Sequence, residues 1–277
     1  MSTATLAADF INRMRLFLSK RYYRWIYDRI YFSHWLTRDL HFFNLGLSPV
    51  DSEIKAIPWL AGEQSQAQSY LEVVKAFRRH LPDRSPERLL EVSTGLGGGM
   101  LLLANCFPST VLFGIDFSPN SIRRTRNLVA DAQLVLANAH RIPFSEASFS
   151  LLLNVESLHA LDAPVFFQEA GRLVADEGLL VIVDFKDMSA VELMPWLESN
   201  ARSTGFRIVE FRILSHEVLQ SADADTRRRA LLERRIPFAF KSLVNEMTAG
   251  PGSELRRQYE SDEKTYFLCA MQRLHRA

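Results

Sequence analysis

Four short segments carry residue types that could hold a small ligand or move a proton. Leu89-Leu90-Glu91-Val92 runs into Ser93-Thr94-Gly95-Leu96-Gly97-Gly98-Gly99, a string of small residues that lets a ligand approach the backbone closely. Asp116 lies twenty-one residues after Gly95, at the end of an apolar run, where a carboxylate can accept the hydroxyl protons of a ribose. Asn138 and Ala139 follow a third apolar run, and the Asn138 amide oxygen suits an adenine amino group. In Asn154-Val155-Glu156-Ser157-Leu158-His159, Glu156 and His159 are candidate proton acceptors.

The glycine spacing discriminates among nucleotide ligands. Counted from Gly95, the third glycine of a G-x-G-x-x-G pattern falls on Met100, which closes the tight approach a pyrophosphate needs and disfavours NAD and FAD. Glu91 would repel a pyrophosphate and accept from an ammonium group.

These residues need strands that end together. From Arg88 onward, apolar runs at 89–92, 111–116, 133–137, 150–155 and 179–184 alternate with helical patterns at 100–106, 120–131 and 164–175, which predicts a parallel, doubly wound sheet. Ser118-Pro119 reads as an N-cap followed by proline at the first helical position. A helix near 190–203, a strand near 206–214, an Arg-rich helical stretch over 223–247 and a strand over 265–273 complete the pattern. Upstream, 66–80 reads as a helix with Tyr70, Val73, Val74 and Phe77 on one side.

Composition narrows the classes. The 277 residues are 47% hydrophobic and 23% charged, the usage of a folded globular chain, and 33 basic against 32 acidic residues leave no excess to draw it onto nucleic acid. Cys106 and Cys269 make neither a disulfide framework nor a zinc site, so a reducing, cytoplasmic setting is expected and no metal is called for. The start, MSTATLAADFINRMR, lacks the basic-then-apolar order of an export signal, and glycines, Asn105 and Pro108 interrupt the uncharged stretch 92–115, so no membrane span is expected.

Taken together, several motifs resemble the class I S-adenosylmethionine-dependent methyltransferases over roughly 65–275. They are Leu-Glu-Val-Ser-Thr-Gly-Leu-Gly-Gly-Gly, Phe-Gly-Ile-Asp-Phe-Ser-Pro, Ala-Asn-Ala-His-Arg-Ile-Pro-Phe, Ser-Phe-Ser-Leu-Leu-Leu-Asn-Val-Glu-Ser-Leu-His and Phe-Phe-Gln-Glu-Ala-Gly-Arg-Leu-Val-Ala-Asp-Glu-Gly, in that order. The resemblance implies an α/β fold, a Rossmann-like doubly wound seven-stranded sheet, with S-adenosyl-L-methionine as cofactor and S-adenosyl-L-homocysteine as product. It assigns the methionine moiety to Glu91, Ser93, Thr94, Gly95 and Gly97, the ribose to Asp116, Phe117 and Ser118, adenine to Asn138 and Ala139, and a further cofactor contact to Asn154. Three positions depart from the family pattern: Ser93 replaces its first glycine, Asn138 a commoner Asp, and Asp176-Glu177-Gly178 a Pro-Gly-Gly surface turn.

Two features resemble the branch that methylates lipid-like, polyketide or terpenoid acceptors, including the teleocidin type of C-methyltransferase: the Asn154 to His159 segment and the upstream Phe42-Phe43-Asn44-Leu45-Gly46, similar to a segment that covers the cofactor. This implies residues 1–50 as an N-terminal helical extension, a lid or oligomer contact, and residues 51–277 as the methyltransferase domain with a helical insertion near 215–262. Eleven of the chain's 30 aromatic residues lie in the first 43 positions and must be covered; a homo-oligomer through these helices is expected. Methylation of an alkene carbon leaves a carbocation, which aromatic faces stabilise. Tyr22, Tyr23, Trp25, Tyr27, Trp196, Phe238 and Phe240 are candidates for such faces, and Tyr22, Tyr23, Phe43 and Trp196 are singled out as acceptor-binding. Packing in the core is the alternative for all of them. The alternative for the proton acceptors is that Glu156 pairs with an arginine and His159 caps a helix, while Arg227-Arg228-Arg229 with Arg234-Arg235 reads as a solvated helix face. An apolar small molecule is the expected acceptor, its methyl going to carbon; oxygen or nitrogen transfer and a non-catalytic cofactor-binding scaffold are the competing readings.

Overall fold

The computed structural model describes residues 37–235 and 241–275. Tyr22, Tyr23, Trp25, Tyr27, Phe238, Phe240 and the helices expected within 5–35 lie outside the described residues.

The described chain begins with an irregular segment, 37–51, followed by the short helix α1 (Ser52–Lys55) and the long α2 (Gln64–His80). Alternation then sets in: β1 (Arg88–Val92), α3 (Gly98–Cys106), β2 (Val111–Asp116), α4 (Pro119–Leu128), β3 (Gln133–Leu136), β4 (Phe149–Val155), α5 (Ala163–Leu173), β5 (Val174–Lys186), α6 (Ala190–Ser203) and β6 (Phe206–Ile213). Four helices, α7 (Ser215–Ala224), α8 (Thr226–Arg235), α9 (Lys241–Met247) and α10 (Glu254–Glu260), precede β7 (Thr265–Arg273). Ser118 caps α4 by accepting from Ser121 N, with Pro119 at the first helical position.

The seven strands form one sheet in the order β3-β2-β1-β4-β5-β7-β6. The first five are parallel, as the alternation from 89 to 184 predicts, and β7 inserts antiparallel between β5 and β6, so the sheet as a whole is mixed. The helical excursion α7–α10 brings the chain back to the same end of the sheet, and β7 can only enter running downward. The Asp176-Glu177-Gly178 stretch falls within the bounds of β5 but bulges out at the surface as a turn: the register against β4 jumps from Phe149–Val174 to Leu151–Leu179, and Glu177 takes a positive φ of 62°.

Period-two alternation sends successive strand residues to opposite layers. Leu151, Leu153 and Val155 of β4, Leu179, Val181 and Val183 of β5, and Tyr266 and Leu268 of β7 pack with Phe77 of α2 and Leu103 of α3. Leu152, Leu180, Ile182, Phe267 and Cys269 pack on the other side with Phe166 and Phe167 of α5 and Leu193 and Leu197 of α6. Both faces are therefore covered, and the sheet leaves its ligand-binding capacity to the carboxyl ends of the parallel strands. The order of strands reverses between β1 and β4, the position at which such sheets open a crevice.

Candidate functional site

At that crevice β1 and β4 end in two non-glycine residues with positive φ, Ser93 at 70° and Glu156 at 48°. Backbone of this kind is strained for residues with a Cβ and collects at functional sites. It also gives the physical reason for a glycine at the Ser93 position in the family: the turn requires the left-handed region. Ser93 N and Thr94 N both donate to the Ile115 carbonyl, tying the glycine-rich turn to β2. Thr94 is buried, its Oγ1 3.1 Å from Ser121 Oγ. Gly95 has φ 53° and open space where a Cβ would stand, and its N–H donates to Asp116 Oδ2 at 3.0 Å.

Helix α3 starts at Gly98 rather than at Met100. A side chain at Gly98 would strike the His41 carbonyl, and one at Gly99 the Tyr70 ring, so the glycines let two other segments reach the helix start. Gly97, with φ 87°, is the N-cap.

Period two turns Glu91 toward α2, where its Oε1 accepts from the Tyr70 hydroxyl at 2.9 Å. Its Oε2 is buried without a hydrogen-bond partner. Burial, with a lesser contribution from the Asp116 charge, pushes the Glu91 carboxyl up to about 8. A buried acceptor with a free lone pair beside a glycine-rich turn fits an incoming ammonium, as the amino-acid tail of S-adenosylmethionine would provide. Asp116 is buried as well, which raises its carboxyl, and it accepts from Ser118 N at 2.9 Å in addition to Gly95 N. Ser121 and the Phe117 backbone add further hydrogen bonds, and together these donors orient the carboxylate at the end of β2, the position a ribose would meet. Phe117 is half-buried beside it and Ser118 is buried as the cap of α4. Exposed Asn138 accepts from His140 N at 3.0 Å through its amide oxygen, and Ala139 is buried next to it. The residues present thus fit S-adenosylmethionine.

Asn154 is buried, and it works as a brace: its Oδ1 accepts from Leu158 N at 2.9 Å and its Nδ2 donates to Ser157 Oγ at 2.5 Å. That brace shapes the turn carrying Glu156 and His159. Glu156 accepts from Leu45 N at 2.8 Å and from the Tyr266 hydroxyl at 2.6 Å; among the described residues it pairs with no arginine. Burial pushes its carboxyl up to about 7. His159 lies in a single 3-10 turn, Leu158–Ala160, and caps no helix. Its Nδ1 is 2.9 Å from Asp184 Oδ1, and its ring stacks on Phe185 at 4.2 Å between centroids. Asp184 is fully buried and also accepts from Leu158 N at 2.6 Å and Phe185 N at 2.7 Å.

Sequence reasoning passed over Asp184, Tyr259 and Tyr266. Asp184 had a signal, a carboxylate closing an apolar strand as Asp116 does; the tyrosines had none. Tyr259 and Tyr266 lie edge to face at 6.4 Å, and Phe185 meets Tyr259 at 6.5 Å. With Glu156 and His159 they form an aromatic box around a buried carboxylate.

The segment 37–50 crosses this site. Glu63 accepts from His41 N, Phe42 N and His41 Nδ1 at 2.8, 3.1 and 2.9 Å. Gly98 N donates to the His41 carbonyl at 2.9 Å, Asn44 Nδ2 to the Gln66 carbonyl at 2.9 Å, and Leu45 N to Glu156 as above. Phe43 packs with Leu40, Leu96 of the glycine-rich turn, Leu232 and Val244. The arginine run is not a solvated face: Arg228 is buried and donates to the Phe42 carbonyl at 3.2 Å, Arg229 donates to Thr248 Oγ1 at 3.0 Å, and Arg235 pairs with Asp39, while Arg227 and Arg234 are exposed. Trp196 stands apart. It lies in the layer of α5 and α6, edge-on to Phe167 at 6.0 Å with Lys186 over its ring, across the sheet from Tyr259 and Tyr266.

A family model described as "Methyltransferase domain" matches residues 90–182. The phthiotriol/phenolphthiotriol dimycocerosates methyltransferase of Mycobacterium leprae is 27% identical over 186 residues, 66% of this chain and 68% of that protein. The fatty-acid O-methyltransferase of Mycolicibacterium smegmatis is 26% identical over 182 residues, 64% of each chain. Among solved structures, geranyl diphosphate C-methyltransferase from Streptomyces coelicolor A3(2) superposes with a TM-score of 0.60 at 15% identity, over 91% of this chain and 98% of that one.

Proposed function

This chain is an S-adenosylmethionine-dependent methyltransferase with the class I fold, and we propose that it methylates an apolar small molecule, with His159 removing the proton that the reaction releases. The single observation that carries this reading is the buried Asp184 carboxylate at His159 Nδ1, which leaves Nε2 as the basic nitrogen at the end of β4.

S-adenosylmethionine supplies a methyl group on a sulfonium, ready for in-line displacement. The chain positions the partners and excludes water. Glu91 takes the ammonium, Asp116 the ribose and Asn138 the adenine, with Ser93, Thr94, Gly95, Gly97, Phe117, Ser118, Ala139 and Asn154 shaping the cradle. The segment 37–50 closes it from above, and Phe43, packed on Leu96 of the glycine-rich turn, stays the candidate acceptor contact on this segment. Carbon is the acceptor atom in the first form of this proposal. The rings of Phe185, Tyr259 and Tyr266 around the Glu156 carboxylate favour a cation left by methylation of a prenylated or polyketide-like chain, and His159 or Glu156 then takes the proton. A hydroxyl acceptor is the second form, favoured by the relative named a fatty-acid O-methyltransferase; His159 then takes the hydroxyl proton as the methyl arrives.

Incubation with methyl-labelled cofactor and a panel of prenylated indolactams, polyketide alcohols and fatty acids, read by mass spectrometry, locates the label. Label on carbon supports the first form and label on oxygen the second; binding of cofactor with no turnover on any class would return the protein to a scaffold. Among the described residues no helix is long and apolar enough to cross a membrane. We assign residues 1–50 to a lid or a subunit contact, the latter in a homo-oligomer, and place the protein in the cytoplasm. Deleting residues 1–35 should then abolish turnover and change the elution volume on sizing.

A further inference from the structure

We propose that the Tyr259 hydroxyl is the hydrogen-bond donor that fixes an oxygen-bearing acceptor beside His159, so that the enzyme selects molecules with a carbonyl, ether or hydroxyl oxygen close to the methylated atom. This rests on the reading that the box around Glu156 and His159 receives the acceptor.

Tyr259 is 5% exposed, and its hydroxyl has no hydrogen-bond partner. Buried hydroxyls without partners are uncommon, because desolvation is then uncompensated. Its neighbours show why this one is left over. The Tyr266 hydroxyl is already given to Glu156, and Glu156 also holds Leu45 N. Asp184 is committed to His159, Leu158 N and Phe185 N. Lys264, above the Phe185 ring at 4.8 Å, is paired with Asp187. Burial, with the charges of Glu156, Asp184 and Asp187, holds the phenol well above the usual tyrosine range, so it stays protonated and able to donate. A phenylalanine would pack the same ring against Phe185 and Tyr266; what the hydroxyl adds is a donor on a ring that meets Phe185, the residue on which His159 stacks.

The test uses the protein with S-adenosylhomocysteine bound and two probes of matched shape, 2-octanone and 1-octene. Calorimetry should show the wild type preferring the ketone, and Tyr259→Phe should remove roughly tenfold of that preference, the loss expected for one neutral hydrogen bond. Affinity for S-adenosylhomocysteine should not change, and the unfolding midpoint should not fall. A ketone preference that survives in the variant overturns the proposal, and so does a lower midpoint with the preference intact, which would mark a structural hydroxyl. Should the variant fail to fold, the carbonyl stretch of 2-octanone bound to wild type decides: a shift to lower wavenumber than in hexane is expected, and a hexane-like value overturns the assignment. Full activity in His159→Ala would remove the base proposed above and leave these binding results standing.

Discussion

Asp184 holds His159 in one orientation: the two are 2.9 Å apart through Oδ1 and Nδ1, and the imidazole lies flat on Phe185. An ionised carboxylate can only accept, so Nδ1 carries the proton and Nε2 is the nitrogen with a lone pair, the base of the proposed reaction. Asp184→Asn, nearly the same in shape, should lower kcat by about 10²-fold or more while S-adenosylhomocysteine affinity stays near wild type. His159→Ala should do the same, and Glu156→Gln should match it if the carboxylate shares the proton. Steady-state kinetics beside calorimetry checks this; an unchanged kcat in Asp184→Asn and His159→Ala would make the pair a brace only.

Stability should fall with rising pH across a defined window. Glu91 and Glu156 are pushed up from about 4.5 to about 8 and about 7, so the folded chain holds these protons more tightly than the unfolded one. Their favourable contribution is complete below the unfolded value and is lost as the pH rises through about 7 for Glu156 and about 8 for Glu91, at no more than about 1.4 kcal/mol per pH unit for each group. Chemical unfolding measured from pH 4.5 to 8.5 should show the decline, reduced in Glu91→Gln. Saturating S-adenosylhomocysteine should also flatten it in wild type, by pairing Glu91 with an ammonium.

Gly98→Ala should loosen the segment 37–50. The new methyl occupies the place of the His41 carbonyl, which Gly98 N now holds at 2.9 Å. A loss of about 1–3 kcal/mol is expected, the usual cost of overpacking. Limited proteolysis should cut within 37–50 faster than in wild type; identical cleavage rates would mean the helix start tolerates the side chain.

Asp116→Ala should weaken S-adenosylmethionine binding by about 1.5–3 kcal/mol, the value of hydrogen bonds to a charged group. Because Asp116 also holds Gly95 N and Ser118 N, the variant should lose ordering of the glycine-rich turn. Titration calorimetry gives the affinity, and amide exchange at Gly95 the ordering; unchanged affinity would move the ribose elsewhere.

The elements of the proposed cofactor cradle could be read along the chain because they are local. The run from Leu89 to Gly99, Asp116 at a strand end, and Ser118-Pro119 at a helix start each specify backbone geometry within a few residues. Strand and helix periodicities rest on the same short-range physics. Only the tertiary structure decided the rest, because it depends on pairs far apart in sequence. Tyr266 reaches Glu156 across 110 positions, and Leu45 N reaches the same carboxylate across 111. Arg228 reads as a surface charge until the fold sets the Phe42 carbonyl beside it, 186 positions away. Trp196 and Tyr259 are both aromatic residues on helices, and nothing in their neighbours in sequence shows which side of the sheet each will face. Packing on the two faces of the sheet makes that choice: β7 carries Tyr266 into the layer of α2, where the Tyr259 ring meets it edge to face, while Trp196 packs with Phe167 on the other side.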